Sequence, residues 1–381
     1  MDQPYPISNA YPTREESPPC CVRRLVGQLN TLCRRKHAPR HVYHRLPQTS
    51  EERRDASLTE RPVDVTKLTP SDIAAAEEKG KTVLYLAYGS NLCNETFRGV
   101  RGIKPLSQIN VLVPTLRLTF DLPGIPYTEP CFANSALRDP ESDPPAPPSE
   151  EEDEQPRKPG YHKDRWHKGM VGCVYEVTPT DYAHIIATEG GGSSYQDITV
   201  DCFPLPTSAD TVPSVPTTHP FKAHTLFAST SSSQPRPRRP DPSYAQPSPR
   251  YLKLITDGAT ELNLPKEYRE YLNDIRTYTI TTRRQQLGKG IFMGLWFPVL
   301  IMLFGLGKPL RDREGRVPKW LGVLLGWVFS GMWWSYDGGF KGVFGDGERT
   351  EGCDGEGERV GGAWREGMEK GEAEAEAVRL V

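Results

Sequence analysis

The residues whose types and spacing point most directly to chemistry are Tyr85, Leu86, Ala87, Tyr88, Gly89 and Ser90, followed by Asn91 and Leu92. An apolar run from Val83 to Tyr88 breaks at a glycine, then presents a short hydroxyl and an amide. Gly89 has no side chain, so the backbone can turn tightly and a ligand can approach its amides. A loop that leaves a strand and enters a helix aims several N–H groups at one place, which suits a carboxylate or a developing oxyanion. Taken alone, the same tetrapeptide reads equally well as an ordinary β-turn.

Glu189 is the second element. It follows Ile185, Ile186 and Ala187 and precedes three glycines. A carboxylate at the edge of an apolar surface has its pKa raised toward the range useful for general acid–base work. The bland alternative is a solvated glutamate at a helix end, although a negative charge at a helix C-terminus opposes the dipole. Tyr195 and Tyr251 are candidate hydrogen-bond partners for a substrate or for the glutamate. Core packing is the commoner role of any single tyrosine.

The elements that must position these residues follow from hydrophobic period. Thr82–Tyr88, Ile109–Phe120, Cys131–Ala136, Lys168–Val177, Tyr195–Cys202 and Phe221–Ala228 alternate as strands. Thr178 is an expected N-cap with Pro179 at the first helical position, and Tyr182, Ile185, Ile186 and Glu189 share helical spacing. Gly190 to Gly192 end that helix. Arg250–Leu262 and Pro265–Ile275 read as a helical pair.

Proline numbers 37 and glycine 34 in 381 residues, both clustered, and the apolar share is 36%. That favours a folded core of roughly 180 residues with long disordered segments. Residues 1–66 carry no sustained period and read as a disordered basic region. Within them 21–48 hold seven Arg/Lys and no acid, either a patch for anionic surfaces or a solvated tail. Residues 67–282 form the expected catalytic domain, with disordered inserts at 139–160, 203–219 and 229–249. Net charge is −2, so no nucleic-acid partner is implied. Eight scattered cysteines without metal-type spacing suit free thiols in a reducing compartment. The polar, proline-rich N-terminus has no apolar core of a secretory signal.

Four pieces in order resemble the γ-glutamylcyclotransferase family. They are Tyr85 to Leu92, Pro123-Gly124-Ile125-Pro126, Glu189 to Tyr195, and Pro247 to Ile255, the last continuing into Gly258-Ala259 and Leu264 to Tyr268. The resemblance implies an α+β fold, a small mixed β-barrel with flanking helices and the site at one mouth. It implies that the α-amine of a γ-glutamyl group attacks its own γ-carbonyl, giving 5-oxoproline and the released amine, without metal or organic cofactor. Glu189 would be the catalytic base and then acid. Tyr85, Leu86, Ala87, Tyr88, Gly89, Ser90, Asn91 and Tyr251 would bind the substrate. The inserts and tail look like the filamentous-fungal branch, some of whose members serve gliotoxin-like (sulfur-bridged dioxopiperazine) toxin biosynthesis on glutathione adducts. Asn91 argues against the ChaC-type branch. General γ-glutamyl and glutathione turnover, or a catalytically silent membrane-tethered binding module, are the alternatives.

Ile291–Gly307 and Trp320–Tyr336 are each seventeen residues without a charge, about 25 Å as helix against a hydrocarbon core of about 30 Å. Trp320, Trp333, Trp334 and Tyr336 stand where an interfacial belt would be, and Gly290/Gly294 and Gly322/Gly326 have the spacing of close helix contacts. The expectation is an apolar helical hairpin over 288–340 with a lipid bilayer as partner through 291–336. The enzyme would then be cytoplasmic-facing and membrane-associated, and 345–381 a disordered polar tail. A buried helical pair capping the domain is the alternative.

Overall fold

The computed structural model describes residues 43–64, 69–139, 166–188, 196–207, 209–227, 239, 241, 243–307 and 319–351. Everything below concerns the compact unit Arg45–Val381.

Five strands close a small mixed barrel: β1 (Val83–Ala87), β2 (Ser107–Val113), β5 (Met170–Val177), β6 (Gln196–Pro204) and β7 (Phe221–Phe227), in the order β1-β5-β2-β6-β7. The pairs are antiparallel except that β7 returns parallel to β1, with Tyr85 opposite His224. Strands β3 (Leu116–Ile125) and β4 (Glu129–Leu137) form a separate two-stranded ribbon. Four of the barrel's strands are mostly buried, with Leu84, Leu86, Val111, Val113, Val171 and Val174 inaccessible to solvent, whereas β6 is partly exposed. Helix α3 (Pro179–Thr188) starts as its sequence predicts, with Asp181 N–H donating to the Thr178 hydroxyl (3.1 Å) and Tyr182, Ile185 and Ile186 buried. Helices α4 (Pro249–Glu261) and α5 (Lys266–Asp274) follow β7.

Several sequence expectations change. Glu51–Ser57 is a helix, α1, within a segment expected to be disordered. Seven residues are too few to display a hydrophobic period. This helix is held by its Ser50 cap, by Arg53 on Thr82 and Glu60, and by the Ser57 hydroxyl accepting from Lys222 N–H. A second short helix, α2 (Pro70–Glu78), precedes β1. The run Ile109–Phe120 is two strands, because the chain turns at Pro114–Thr115. Part of the insert 203–219 is packed: Leu205 and Val212 are buried, and Glu267 accepts from Val212 N–H at 2.7 Å. Residues 345–351 of the expected polar tail are also packed, with Glu348 1% exposed. Residues 243–249 of the last expected insert are packed as well, with Ala245, Gln246 and Ser248 buried. The expected inserts lie outside the described residues over 140–160, at 208, over 229–238 and at 240 and 242, and the tail over 352–381.

The apolar pair forms helices α6 (Arg283–Gly307) and α7 (Lys319–Ser335). The expected membrane association, its lipid partner and the cytoplasmic-facing anchored placement are corrected. Among the described residues one helix alone, over Arg283–Gly305, is long and apolar enough to cross a membrane; α7 has 17 residues. Trp333 and Tyr336, assigned to an interfacial belt, are 2% and 0% exposed. They pack with Tyr127, Phe292, Leu300 and Met332 in a second core against the β3–β4 turn. Aromatic residues engaged in an internal core do not anchor a chain in lipid, so of the four expected belt residues Trp333 and Tyr336 are taken up by protein while Trp320 and Trp334 stay exposed. Among the described residues nothing lies within 4 Å of a β-carbon built at Gly290 or Gly294; the two helices touch at Gly331 and Trp296, whose indole N–H donates to the Ser335 hydroxyl at 3.1 Å.

Candidate active site

β1 ends at Ala87, and the chain turns through Tyr88 and Gly89 into one tight helical turn, Ser90–Leu92. That turn closes on itself: Leu92 N–H donates to Gly89 O (3.0 Å) and Cys93 N–H to Ser90 O (3.2 Å). It is pressed against α4 at Gly258, where a β-carbon would come within 2.5 Å of Cys93 N. Asn94 N–H and its amide side chain both donate to Glu261 Oε2, at 3.0 and 3.1 Å, which locks the exit of the loop to the end of α4.

A small cavity of about 50 Å³ lies at the front of this turn, lined by Tyr85, Tyr88, Gly89, Ser90, Asn91, Ala133, Thr225, Leu226 and Tyr251. The expected binding residues Tyr85, Tyr88, Gly89, Ser90, Asn91 and Tyr251 therefore meet at one place. Leu86 and Ala87 do not line it; both are buried in the barrel. Tyr251 reaches the cavity because Ser248 caps α4, accepting from Tyr251 N–H at 3.0 Å, and sets the first turn. Glu189 and Tyr195 lie outside the described residues; α3 ends at Thr188, one residue before the glutamate.

Tyr85 is less a ligand group than a brace. Its ring is 5% exposed and lies 6.1 Å from the rings of Phe97 and Tyr182, and its hydroxyl accepts from Asn91 Nδ2 at 2.8 Å. Behind it Tyr182 donates to Asp197 Oδ1 (2.7 Å), and His224 sits between Asp197 (2.7 Å) and Glu60 (3.3 Å). Burial pulls the His224 pKa down, but hydrogen bonds and charge from Asp197 and Glu60 outweigh it and raise it to about 9. Burial, then the Asp197 charge, holds the Tyr182 phenol well above its ordinary range.

Sequence reasoning missed Ala133, Thr225 and Leu226. Ala133 enters through a β-bulge: Thr119 pairs with Asn134 and Leu122 with Phe132, so Phe120 and Asp121 oppose the one residue Ala133. Released from the ladder, Ala133 N–H donates to the Tyr251 hydroxyl at 3.1 Å. The Phe132 ring meets the Tyr251 ring edge-on at 5.1 Å. Cys131–Ala136 alternates legibly as a strand, but no residue type in it marks the bulge, which lies on the partner strand. The site as described is a small pocket bounded by a tight backbone turn and lined by the hydroxyl-bearing Tyr88, Ser90, Thr225 and Tyr251 and the amide-bearing Asn91.

A small mixed barrel whose first strand delivers a Tyr-Gly-Ser-Asn turn to a pocket walled by a tyrosine is the architecture implied for γ-glutamyl-cyclising enzymes. The chain is 30% identical over 276 residues to γ-glutamyl cyclotransferase gliK of Aspergillus fumigatus, covering 72% of this chain and 92% of that relative. It is 29% identical over 278 residues to γ-glutamyl cyclotransferase aclK of Aspergillus oryzae, covering 71% and 92%. A third relative, γ-glutamyl cyclotransferase verK of Clonostachys rogersoniana, is 30% identical over 44% of this chain and 80% of its own length. Residues 282–343 match the AclK C-terminal domain model. A solved γ-glutamyl cyclotransferase structure aligns with 53% of this chain and 93% of its own, at 20% identity and a TM-score of 0.34. The chain belongs to the fungal γ-glutamyl cyclotransferase family.

Proposed function

We propose that this chain cyclises the γ-glutamyl group of glutathione-derived or glutathione-conjugated compounds, releasing 5-oxoproline and the attached amine. The observation that carries the reading is the meeting of the Tyr88–Asn91 turn, Ala133 and the Tyr251 hydroxyl at one pocket in a member of this family. Nucleophile and electrophile share one molecule, so the protein's chief task is to fold the substrate into an attack geometry. This reading requires that the N–H groups of the turn not used in its two internal bonds meet the γ-carbonyl oxygen as charge develops there. Tyr251, whose oxygen accepts from Ala133, donates its own O–H to the substrate.

In the reaction the α-amine, once deprotonated, forms a C–N bond to the γ-carbon. The original γ-amide C–N bond then breaks, and the departing nitrogen takes a proton. Two protons leave the attacking nitrogen, one before attack and one as the ring closes. Glu189 takes them in turn and passes one to the nitrogen as its bond breaks and the other to the released amine, so no net proton is consumed by the protein. The substrate class follows the resemblance to the fungal branch, in which such cyclisation opens glutathione adducts during sulfur-bridged dioxopiperazine synthesis.

The test uses the full-length chain with glutathione, a γ-glutamyl amino acid and a glutathione S-conjugate, assayed for 5-oxoproline. The expected result is release from all three with the highest kcat/KM on the S-conjugate. Glu189→Gln should lower kcat by about 100-fold or more while the thermal midpoint is retained. Undiminished turnover in that variant removes the mechanism. A preference for the free γ-glutamyl amino acid assigns the enzyme to general turnover instead.

A further inference from the structure

The C-terminal helices and the segment 345–351 that follows them grip both stretches of chain that meet at the pocket wall. The first grip is on the turn of the β3–β4 ribbon. Tyr127 stands at a φ of +62° and is 1% exposed. Its N–H donates to Gly347 O (2.8 Å), and its hydroxyl lies within reach of Gly345 O (2.9 Å) and Phe340 O (3.1 Å). Its ring packs edge-on against Phe292 and Tyr336 at 5.9 and 5.6 Å. The Trp333 indole N–H donates to Gly124 O at 3.1 Å. Gly124 follows Pro123, and Pro123 pairs with Cys131, two residues or about 7 Å along the strand from Ala133.

The second grip is on the segment leading into α4. Gln246 N–H donates to Glu348 O and its side-chain oxygen accepts from Thr350 N–H, both at 2.9 Å. Two residues on, Ser248 caps the helix that carries Tyr251 and also bonds Glu129, the first residue of β4. Arg239 ties the arrangement together, ion-paired to Asp337 and Glu348 with its guanidinium 4.2 Å from the centre of the Trp333 ring.

The ribbon needs such support. It hydrogen-bonds to no other strand of the described barrel and is held to it by packing alone, through Leu116, Leu118, Phe120 and Cys131 in the main core, so the position of its turn end depends on what grips it there. Yet its residue Ala133 supplies one side of the pocket. We propose that Tyr127 and Trp333 are positioning residues: through them the C-terminal domain sets the Ala133–Tyr251 wall against the Tyr88–Asn91 turn, and so sets substrate affinity. The inference rests on reading that pocket as the γ-glutamyl site.

The experiment uses full-length Trp333→Phe, which keeps a ring but removes the donor to Gly124, and Tyr127→Phe, which removes the hydroxyl alone. Trp327→Ala, at a 63% exposed position on the same helix, is the control. In the two variants KM for the γ-glutamyl substrate should rise about tenfold with kcat within about twofold, the scale of one misplaced hydrogen bond. Backbone amide exchange over 131–134 should accelerate, and the control should match wild type in both. Should Trp333→Phe fail to fold, Tyr127→Phe decides. Folded variants with unchanged KM and unchanged exchange over 131–134 would overturn the proposal, leaving the domain as a stabiliser only. A wild type that releases no 5-oxoproline defeats the functional reading instead, and the exchange measurement then still decides the positioning claim.

Discussion

Gly258 governs how closely α4 approaches the substrate turn. Its missing side chain admits the backbone of Leu92 and Cys93, and that contact holds the turn in front of Tyr251. Gly258→Ala should therefore push the turn away, costing about 1–3 kcal/mol in urea unfolding and raising KM in steady-state assays. His224 makes a different prediction. Its pKa in the folded chain, about 9, stands above the ordinary 6.5. The stabilisation it shares with Asp197 and Glu60 is thus complete below pH 6.5 and is lost as pH rises through 9. The linked stability is roughly 3 kcal/mol. The thermal midpoint gap between wild type and His224→Gln should accordingly be wide at pH 6 and narrow by pH 10. A gap independent of pH would assign the histidine a packing role alone. At this scale the sequence exposed Tyr88, Gly89, Ser90 and Tyr251, whose types announce donors and turns. Ala133 was not legible, because an alanine contributes through its backbone N–H, and only the bulge opposite turns that N–H toward the pocket.

Hydrophobic period locates strands and helices where it runs unbroken. Thr178 and Pro179 start α3, and Pro249–Glu261 forms the helix that the apolar spacing of Tyr251, Leu252, Ile255 and Ala259 requires. The errors have a common cause. Ile109–Phe120 is continuous in hydrophobicity across Pro114–Thr115, so period alone joins two strands that belong to different sheets. Helix α1 is held by a cap and polar bonds, which carry no hydrophobic signature. The N-cap of α4 offers a direct test at this scale. Ser248 accepts from Tyr251 N–H and bonds the buried Glu129 carboxylate. Ser248→Ala should cost about 1–2 kcal/mol in chemical denaturation and loosen the first turn that presents Tyr251. A variant as stable as wild type would show that Arg250 and water satisfy both partners.

For the whole molecule, the boundary drawn at residue 282 separates segments that the structure packs together. Tyr127 from the ribbon is buried in a cluster otherwise built from α6, α7 and the turn after them. Asp346 accepts from Gln285 Nε2 at 2.8 Å and from the Tyr278 hydroxyl at 3.3 Å, so the last described segment bridges both parts. A chain ending at residue 281 loses that cluster and uncovers Tyr127 and Ile125, so it should unfold about 10 °C lower in a thermal melt and lose most turnover. Retention of wild-type turnover would show the barrel to be self-sufficient. What the sequence determined by itself is the chemistry on offer: a strand breaking at Gly89 into hydroxyl and amide, a tyrosine at a capped helix start, and free thiols without metal spacing. Those features are local, set by residue type and by periods of two and 3.6. Only the tertiary structure decided which face of the long apolar pair packs against the rest of the chain. Seventeen uncharged residues look the same whether lipid or protein covers them. The difference lies in Trp333 and Tyr336 meeting Gly124 and Tyr127, partners some two hundred residues away that no local pattern encodes.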